Sequence, residues 1–360
     1  MAYIICFIIS IYFMYLAEKN YNKPKLRNIY LFFASLYPIL VAGLRDITIG
    51  IDVTWYVTPA YFAAENHRDL HSYLKFMAED DLGFFIYAFF VTKITQSLTF
   101  LMTLNHAIII VPIVYSLCQF KKIFGLSIWF GYAIWLLYDY NVSLCIIRQS
   151  MSLSIAILAM VMLVKRKWLL MVLFSLLAIS FHKTTLIFIA LLLLFYYISQ
   201  KINKQSTQRI LLVCLFSLLL VGKIMMRYIL PYMAQKYSDR LESSEAVGGG
   251  FLTATFLLVA SLYPFVISYY KKTIIYTQPF VYMPIIGFVM FFISRDFQYL
   301  SRMGYPFNAM LMFSLSLAVK DKAVRILILL ALLVAWVVGI CIRGDWETYP
   351  YLISRDLLLL

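Results

Sequence analysis

The sequence predicts an all-α membrane protein, a polytopic helix bundle with about 12–13 transmembrane helices. Two observations support this fold class. Hydrophobic residues make up 63% of the 360-residue chain and charged residues only 13%, and the mean hydropathy is +0.85. The apolar runs are also continuous rather than alternating, which favours helices over the strands of a membrane barrel.

Twelve apolar stretches, separated by short basic or polar breaks, are the predicted crossings, and together they form a single membrane domain over 1–360. They are 2–17, 29–44, 99–119, 123–140, 144–164, 167–181, 184–200, 210–228, 251–270, 277–293, 303–319 and 324–342. Several are shorter than the roughly 20 residues that a full crossing needs, so their limits are approximate.

The short loops between these stretches give the orientation, because lysine and arginine concentrate on the cytoplasmic side of a membrane. Six loops hold 17 of the 31 basic residues and only two acids, Glu18 and Asp321. They lie near 19–27, 121–122, 165–167, 201–209, 271–272 and 320–325. We assign these loops to the inside, which places the remaining acids on the outer side.

Two long outer segments interrupt the pattern. The first, 45–98, contains an apolar part, 84–98, that would invert every later loop if it crossed the membrane. We therefore predict that 84–98 is a re-entrant or surface-lying helix, with a thirteenth crossing as the alternative. The second outer loop, 229–250, ends in three glycines and is either a mobile lid or a plain linker.

Composition also excludes several kinds of partner and cofactor. The net charge of +14 lies mostly in the predicted inner loops, so it indicates contact with membrane lipids and not with nucleic acid. The five scattered cysteines show no metal-ligand spacing, and no nucleotide-binding motif occurs. We expect no metal and no cofactor.

Ionisable groups at the outer helix ends are the candidate site, because such groups are costly in a membrane. Arg45 follows the second stretch, and the turn after it brings Asp52 back toward the same place. Arg148 and Gln149 open a later stretch, where an arginine can present a planar fork to phosphate oxygens. Each of these could equally be a structural or interfacial group.

His182 lies in a short outer turn between two almost wholly apolar stretches, and an imidazole there can exchange a proton near neutral pH. Lys223 and Arg227, four residues apart, either extend to the interface or form a second phosphate clamp. Arg302 is the better ligand candidate of the last outer turn, because Asp296 can neutralise Arg295. A cluster of outer arginines suggests a lipid-linked phosphate or diphosphate as substrate.

In this order, these residues resemble the EpsG family of Wzy-like polysaccharide polymerases. The resemblance covers roughly 29–310 and rests on short motifs. They are Ala42-Gly43-Leu44-Arg45, Gly50-Ile51-Asp52 with Tyr56, Ile147-Arg148-Gln149, Phe181-His182-Lys183, and Arg302 with Tyr305. The chain departs from the family pattern at Ile51-Asp52-Val53, where threonine is usual near the aspartate. It departs again at Asp81-Leu82-Gly83, where glutamate is usual.

The resemblance implies a glycosyltransferase-C-like polymerase in the bacterial cytoplasmic (inner) membrane, with its active site facing the periplasm or exterior. Its substrate would be a polyprenyl-diphosphate-linked oligosaccharide, and a chain-length regulator and a flippase would be its partners. His182 is then the expected base, with Asp52 as the rival. The expected diphosphate contacts are Arg148, Arg302, Arg45, Arg227 and Lys223. The expected sugar contacts are Tyr56, Trp55, Tyr305 and Gln149.

Four other functions fit parts of this pattern. A flippase or transporter of the same glycans would be expected to show internal repeats and midplane charges, which we do not find. An O-antigen-ligase-like transferase needs the same diphosphate site as a polymerase, and an acyltransferase that decorates the glycan is a further enzyme alternative. A non-catalytic assembly partner would leave the arginine and histidine set unexplained.

Overall fold

The computed structural model describes residues 1–77, 81–201, 217, 251–271, 278–293 and 298–354 of the chain. Apart from one isolated bridge, regular structure in these residues is helical. The α-helices are α1 Ala2–Lys19, α2 Pro24–Gly43, α3 Thr58–Asn66, α4 Leu70–Met77, α5 Leu82–Ile94, α6 Leu98–Phe124, α7 Ile128–Tyr138, α8 Tyr140–Cys145, α9 Ile147–Val164, α10 Trp168–Phe181, α11 Thr185–Lys201, α12 Phe251–Lys271, α13 Met283–Ile293, α14 Gln298–Asn308, α15 Leu311–Ala318 and α16 Lys322–Trp336. The segments Val53–Val57 and Val337–Ile342 are π-helical, and Pro279–Val281 and Asp345–Glu347 are 3₁₀ turns.

The predicted fold class is confirmed. Within the described residues, six helices are long and apolar enough to cross a membrane. They are Ala2–Lys19, Pro24–Gly43, Leu98–Phe124, Ile147–Val164, Thr253–Tyr270 and Lys322–Ile342. Five shorter apolar helices accompany them. The chain is therefore a polytopic membrane helix bundle, while the number of crossings stays a prediction.

The chain divides into two compact units. The first comprises Met1–Ile189 and Asp321–Leu360, and the second comprises Ala190–Lys320. In the second unit, the ring of Tyr282 stacks on Phe195 and packs against Phe265, with ring centroids 5.3 and 5.2 Å apart. The predicted crossing 303–319 is wrong in one respect, because the structure divides it into α14 and α15. Pro306 lies inside α14 and lacks the N–H that a continuous helix requires.

At one end of the first unit, polar contacts join residues of the predicted inner loops. The Glu18 carboxylate accepts hydrogen bonds from Lys121 Nζ at 3.0 Å, Ser127 Oγ at 3.1 Å and Trp129 N at 2.9 Å. Arg325 Nη1 donates to Ser127 Oγ at 3.5 Å. These contacts bring together the ends of α1 and α6 and the starts of α7 and α16. They agree with the predicted arrangement, in which these helix ends share one side.

The C-terminal segment closes the other end of this unit. Thr348 accepts from Tyr3 Oη through its carbonyl at 2.8 Å and from Asn141 Nδ2 through its hydroxyl at 2.9 Å. Asn141 Oδ1 in turn accepts from Trp336 Nε1 at 2.8 Å. An antiparallel bridge joins Arg45 to Ile353. The segment after α16 therefore packs against the turn that follows α2, the turn that contains several of the predicted site residues.

The predicted loop 45–98 contains the π-helix Val53–Val57, α3, α4 and α5. Helix α5 replaces the predicted 84–98, begins two residues earlier and ends at Ile94. Its 13 residues extend about 20 Å at a rise of about 1.5 Å per residue. That length is less than the roughly 30 Å of a bilayer hydrocarbon core. A helix that does not cross the membrane remains our interpretation of α5.

Candidate active site

A carboxylate, an imidazole and a guanidinium meet where α5, α9 and α10 approach one another in the first unit. His182 Nδ1 lies 3.0 Å from Asp81 Oδ2, and Arg148 Nη1 lies 3.0 Å from the same oxygen. The second oxygen, Oδ1, accepts from the backbone N–H of Lys183 at 3.3 Å. An ionised carboxylate only accepts hydrogen bonds, so the imidazole donates through Nδ1. We call Asp81, Arg148 and His182 the acid–imidazole cluster.

The local sequence explains how Asp81 reaches its partners. Asp81 precedes α5, but its side chain makes no capping hydrogen bond to that helix, which leaves the carboxylate to point toward α10. A Cβ on Gly83 would collide with the Ser180 hydroxyl and would lie 2.8 Å from the Ser180 carbonyl oxygen. The start of α5 therefore approaches the end of α10 at a distance that only glycine permits. This approach lies two residues from Asp81 on one side and two residues from His182 on the other.

His182 is the most accessible member of the cluster. Its side chain is 25% exposed, against about a tenth for Asp81 and Arg148. The residue follows the last turn of α10 with extended backbone angles, φ −161° and ψ 117°, so its ring leaves the helix axis. With Nδ1 hydrogen-bonded to Asp81, the lone pair of a neutral ring lies on Nε2. This is the arrangement that an oriented general base requires.

The environment of Asp81 keeps its carboxyl ionised. Burial by itself raises the pKa of Asp81, but the hydrogen bond from His182, the charges of His182 and Arg148 and the N–H of Lys183 outweigh it. The net effect is a pKa below the ordinary value of 3.8. Asp81 is therefore an anion at neutral pH and can stabilise an imidazolium beside it.

Arg148 is held from a second direction by an aromatic ring. Its guanidinium carbon lies 3.9 Å from the ring centroid of Tyr56, a cation–π distance. Tyr56 belongs to the π-helix Val53–Val57, whose neighbouring Trp55 is 71% exposed. Arg148 Nε, although buried, has no hydrogen-bond partner among the described residues. The arginine is thus oriented by Asp81 and Tyr56 while one donor stays unused.

Arg45 lies in a separate, buried network. Its side chain is 2% exposed and donates to three backbone carbonyls: Ala42 at 2.6 Å, Leu144 at 3.0 Å and Ile49 at 3.3 Å. Nη1 also lies 3.4 Å from Nε2 of the buried His106. Since a guanidinium only donates, this nitrogen of His106 accepts. The contacts are those of a structural arginine that joins α2, the following turn and α8.

A model of the EpsG family matches residues 28–351, which is most of the chain. The chain belongs to the EpsG family. No curated protein and no solved structure matches it. The resemblance predicted from short motifs is therefore confirmed, and the match extends further toward the C-terminus than those motifs did. This EpsG family chain is a membrane protein of a family implicated in exopolysaccharide biosynthesis.

The structure brings together three of the residues that the sequence analysis selected in this EpsG family member: Arg148, His182 and Tyr56. Asp52 is buried four residues before Tyr56, but no hydrogen bond or ion pair among the described residues joins it to the acid–imidazole cluster. Gln149 is also buried, 5% exposed, beside Arg148 in α9. The roles predicted for Asp52 and Gln149 stay predictions.

The other selected residues lie elsewhere. Arg302 and Tyr305 belong to α14 of the second unit, where Tyr305 is buried and Arg302 half-buried. Lys223 and Arg227 lie outside the described residues, as does the predicted outer loop 229–250. Within the described ranges, no group of three or more histidine, cysteine, aspartate or glutamate side chains could hold a metal ion.

Asp81 is the residue that the sequence analysis missed. The sequence analysis gave it only as a departure from the glutamate that is usual in the EpsG family. Its signal was the combination Asp81-Leu82-Gly83, an acid directly before a helix and a glycine inside the first turn of that helix. Such a pair is consistent with an acidic side chain at a close helix approach, and here that approach is to His182.

Proposed function

We propose that this chain polymerises polyprenyl-diphosphate-linked oligosaccharide repeat units into a cell-surface polysaccharide. The observation that carries the proposal is the shared oxygen of Asp81, which lies 3.0 Å from both His182 Nδ1 and Arg148 Nη1. One carboxylate thus orients a base and a cation side by side. Glycan transfer from a diphosphate needs both groups, one for the attacking hydroxyl and one for the departing anion.

The donor in this proposal is the growing glycan on its lipid diphosphate. As the bond between the anomeric carbon and the diphosphate oxygen breaks, negative charge grows on the leaving group. Arg148 is already oriented by Asp81 and by the Tyr56 ring and has a donor left to offer. Preorganised donors of this kind typically contribute about 10²–10³ in rate. Arg302 remains a proposed second contact.

The acceptor is a sugar hydroxyl of the next lipid-linked unit. In our proposal His182 Nε2 takes the hydroxyl proton while the oxygen bonds to the anomeric carbon and the lipid diphosphate leaves. The proton then passes from the imidazole to solvent or to the released diphosphate. Asp81 stabilises the imidazolium in between without becoming protonated, because its pKa is low. A positioned base of this kind is typically worth about 10²–10⁴ in rate.

The same arrangement supports a proposal for the location of the cluster. Residues of the predicted inner loops meet at the end of the first unit that contains Glu18 and Lys121, while the cluster forms where α9 begins and α10 ends. We propose that this side faces the periplasm or exterior of a bacterial cytoplasmic membrane. There the lipid-linked unit supplies its own activated bond, so no nucleotide is required.

The test is polymer formation by the purified full-length chain in liposomes that contain lipid-linked repeat units and no nucleotide. We expect glycans of many repeats from the wild-type chain and none from His182→Asn, which keeps a hydrogen-bond donor toward Asp81 but has no base. Products are separated by size after release from lipid.

Two outcomes would overturn the proposal. Movement of the lipid-linked unit across the bilayer without any change in glycan length would indicate a flippase. Transfer of glycan to a different acceptor, with no joining of repeat units, would indicate a ligase. A lipid-linked unit whose acceptor hydroxyl is blocked serves as the matched substrate control, because it permits flipping but not polymerisation.

A further inference from the structure

A groove of about 620 Å³ lies between α2 and α6 in the first unit, at the end opposite to the acid–imidazole cluster. Helix α2 contributes one wall, from Arg27 to Ile39, and α6 contributes the other, from Val111 to Lys122. Tyr21 closes one end, because its hydroxyl donates to the Cys118 carbonyl of α6 at 3.0 Å. Apolar side chains form most of the remaining surface: Leu31, Phe32, Leu36, Ile39, Val111 and Val114.

The length of the groove matches one leaflet of a bilayer. The first and last lining residues are 12 positions apart on α2 and 11 positions apart on α6. At a rise of roughly 1.5 Å per residue, the walls are about 16–18 Å long. Half of a hydrocarbon core is about 15 Å. A transmembrane helix of a partner runs through both leaflets, whereas this groove extends along only one of them.

The chemistry of the groove changes along this length. At the end near the predicted inner loops, Arg27, Lys122 and Gln119 line it, and beyond them the walls are apolar. Arg27 is oriented by bonds to neutral groups only, from Nη1 to the Tyr21 carbonyl at 3.3 Å and from Nη2 to Asn28 Oδ1 at 3.1 Å. The groove therefore combines an oriented cation with a long apolar channel.

Within the described residues, no ion pair joins Arg27, Lys122 or Lys165 to a carboxylate. Glu18, the acid of the adjoining loop, is occupied by Lys121, Ser127 and Trp129. Lys165 reaches the rim as well, because its ammonium group contacts Gln119 Oε1. Partial burial first, and then the positive charges of Lys167 and Lys122, lower the pKa of Lys165. Several cations thus lie close enough to influence one another.

We propose that this groove binds an anionic phospholipid of the inner leaflet, with the phosphate between Arg27 and Lys122 and one acyl chain along the apolar walls. Phosphatidylglycerol has this chemistry. Excess positive charge at the mouth selects an anionic headgroup over a zwitterionic one, and the apolar channel accepts the chain. The site does not depend on polymerase activity, because it lies at the other end of the first unit, but its assignment to the inner leaflet rests on the orientation proposed above.

The experiment measures the thermal unfolding of the purified full-length chain in detergent as lipid is added, together with native mass spectrometry of bound lipid. Phosphatidylglycerol is compared with phosphatidylcholine of identical acyl chains. The test variant is Arg27→Gln with Lys122→Gln. The matched control, Lys23→Gln with Lys25→Gln, removes the same charge from exposed positions of the same loop that do not line the groove.

We expect phosphatidylglycerol to raise the unfolding temperature and to remain bound in the wild type and in the control pair. The double variant Arg27→Gln with Lys122→Gln should bind phosphatidylglycerol at least about tenfold more weakly than the wild type. Val111→Trp, which fills the groove and leaves every charge in place, should also weaken binding. The proposal would be overturned if all variants bound phosphatidylglycerol as tightly as the wild type does. It would also be overturned if the wild type bound phosphatidylcholine equally well, or if the control variant lost as much binding as the test variant. Photo-crosslinking from position 111 to a protein instead of to lipid would overturn it as well.

Discussion

Asp81 and His182 lie 101 residues apart in the sequence and 3.0 Å apart in the structure. Their contact orients the imidazole, and Arg148 binds the same carboxylate oxygen. The pairing changes the interpretation of His182 from a histidine in a polar turn to an imidazole held by an ionised acid. It also gives a specific test for each member of the cluster.

His182→Asn should abolish polymer formation while the protein stays folded and inserted. Asparagine can still donate a hydrogen bond to Asp81 but cannot accept the hydroxyl proton. The expected loss is about 10²–10⁴-fold in rate, measured as repeat units joined per minute in liposomes. His71→Asn, at an exposed position of α4, is the control and should retain full activity.

His106 has a structural position, so a variant of it would not serve as a control for the measurement on His182. Its ring is fully buried, its Nε2 faces Arg45, and its Nδ1 lies 3.0 Å from the Met102 carbonyl. His106→Ala would remove a partner of a buried cation, so we expect a loss of folded protein. Equal activity of His182→Asn and His71→Asn would transfer the role of base to Asp52 or to the substrate.

Asp81→Glu should keep a substantial part of the activity, whereas Asp81→Asn should lose most of it. Glutamate restores the residue that is usual in the EpsG family and can still accept hydrogen bonds from His182 and Arg148. Asparagine removes the negative charge that stabilises an imidazolium. The measurement is polymer yield for both variants at equal amounts of folded protein. Comparable yields would show that the charge of this residue is not used.

The same residue predicts a pH dependence of stability. Because the folded-state pKa of Asp81 lies below its ordinary value of 3.8, the carboxylate stabilises the folded chain above that pH. This contribution disappears as the pH falls through the lower folded value. As the pH is lowered through this range, the unfolding temperature should therefore fall less in Asp81→Asn than in the wild type. An identical acid dependence in both proteins would contradict the interaction.

Arg148→Lys should largely abolish polymer formation without changing insertion. Lysine keeps the charge but loses the planar guanidinium group, which contacts Asp81 and at the same time lies over the Tyr56 ring. Arg166→Lys, at an exposed position beyond the other end of α9, is the matched control. Wild-type polymer levels in Arg148→Lys would remove this residue from the site.

Arg45→Met should lower the stability of the fold. The substitution leaves the buried carbonyls of Ala42, Leu144 and Ile49 without their donor, and each unsatisfied buried acceptor costs about 1–3 kcal/mol. We expect a lower unfolding temperature, with Arg68→Met at an exposed position as the control. A variant with wild-type stability and no polymer would instead support the diphosphate contact that the sequence suggested.

Gly83→Ala should reduce activity by separating Asp81 from His182. The added Cβ would lie 2.7–2.8 Å from the carbonyl group of Ser180, so α5 must move away from α10. Ser180→Ala alone should be neutral, because that hydroxyl bonds only within its own helix. Adding Ser180→Ala to Gly83→Ala should restore little, since the closest backbone atoms remain. Full activity of Gly83→Ala would mean that the approach is adaptable.

Much of the fold was predictable from local sequence properties. Apolar runs indicated the limits of α1, α2, α6, α9 and α12 to within five residues, because a membrane requires a minimum apolar length. The break between α14 and α15 was not predicted, although Pro306 was visible. A proline perturbs a helix locally, and whether the helix bends or ends there depends on the packing around it.

The site was predicted only in part. His182 and Arg148 were selected because ionisable groups at helix ends are rare in such a chain. Tyr56 and Trp55 could not be separated, because both are aromatic residues of one turn. Their roles differ in the structure, where Tyr56 lies under Arg148 and Trp55 is exposed. The π-helical turn determines which ring faces the arginine.

The sequence by itself determined the helical membrane class and the family, and it predicted the sidedness of the basic loops. These depend on composition, run length and short motifs, which are local properties of a chain in a bilayer. Only the tertiary structure decided that Asp81 joins His182 and Arg148, and that Arg45 donates to backbone carbonyls. Such pairings depend on which helix ends approach one another, and a contact across 101 residues has no periodic signal in the sequence.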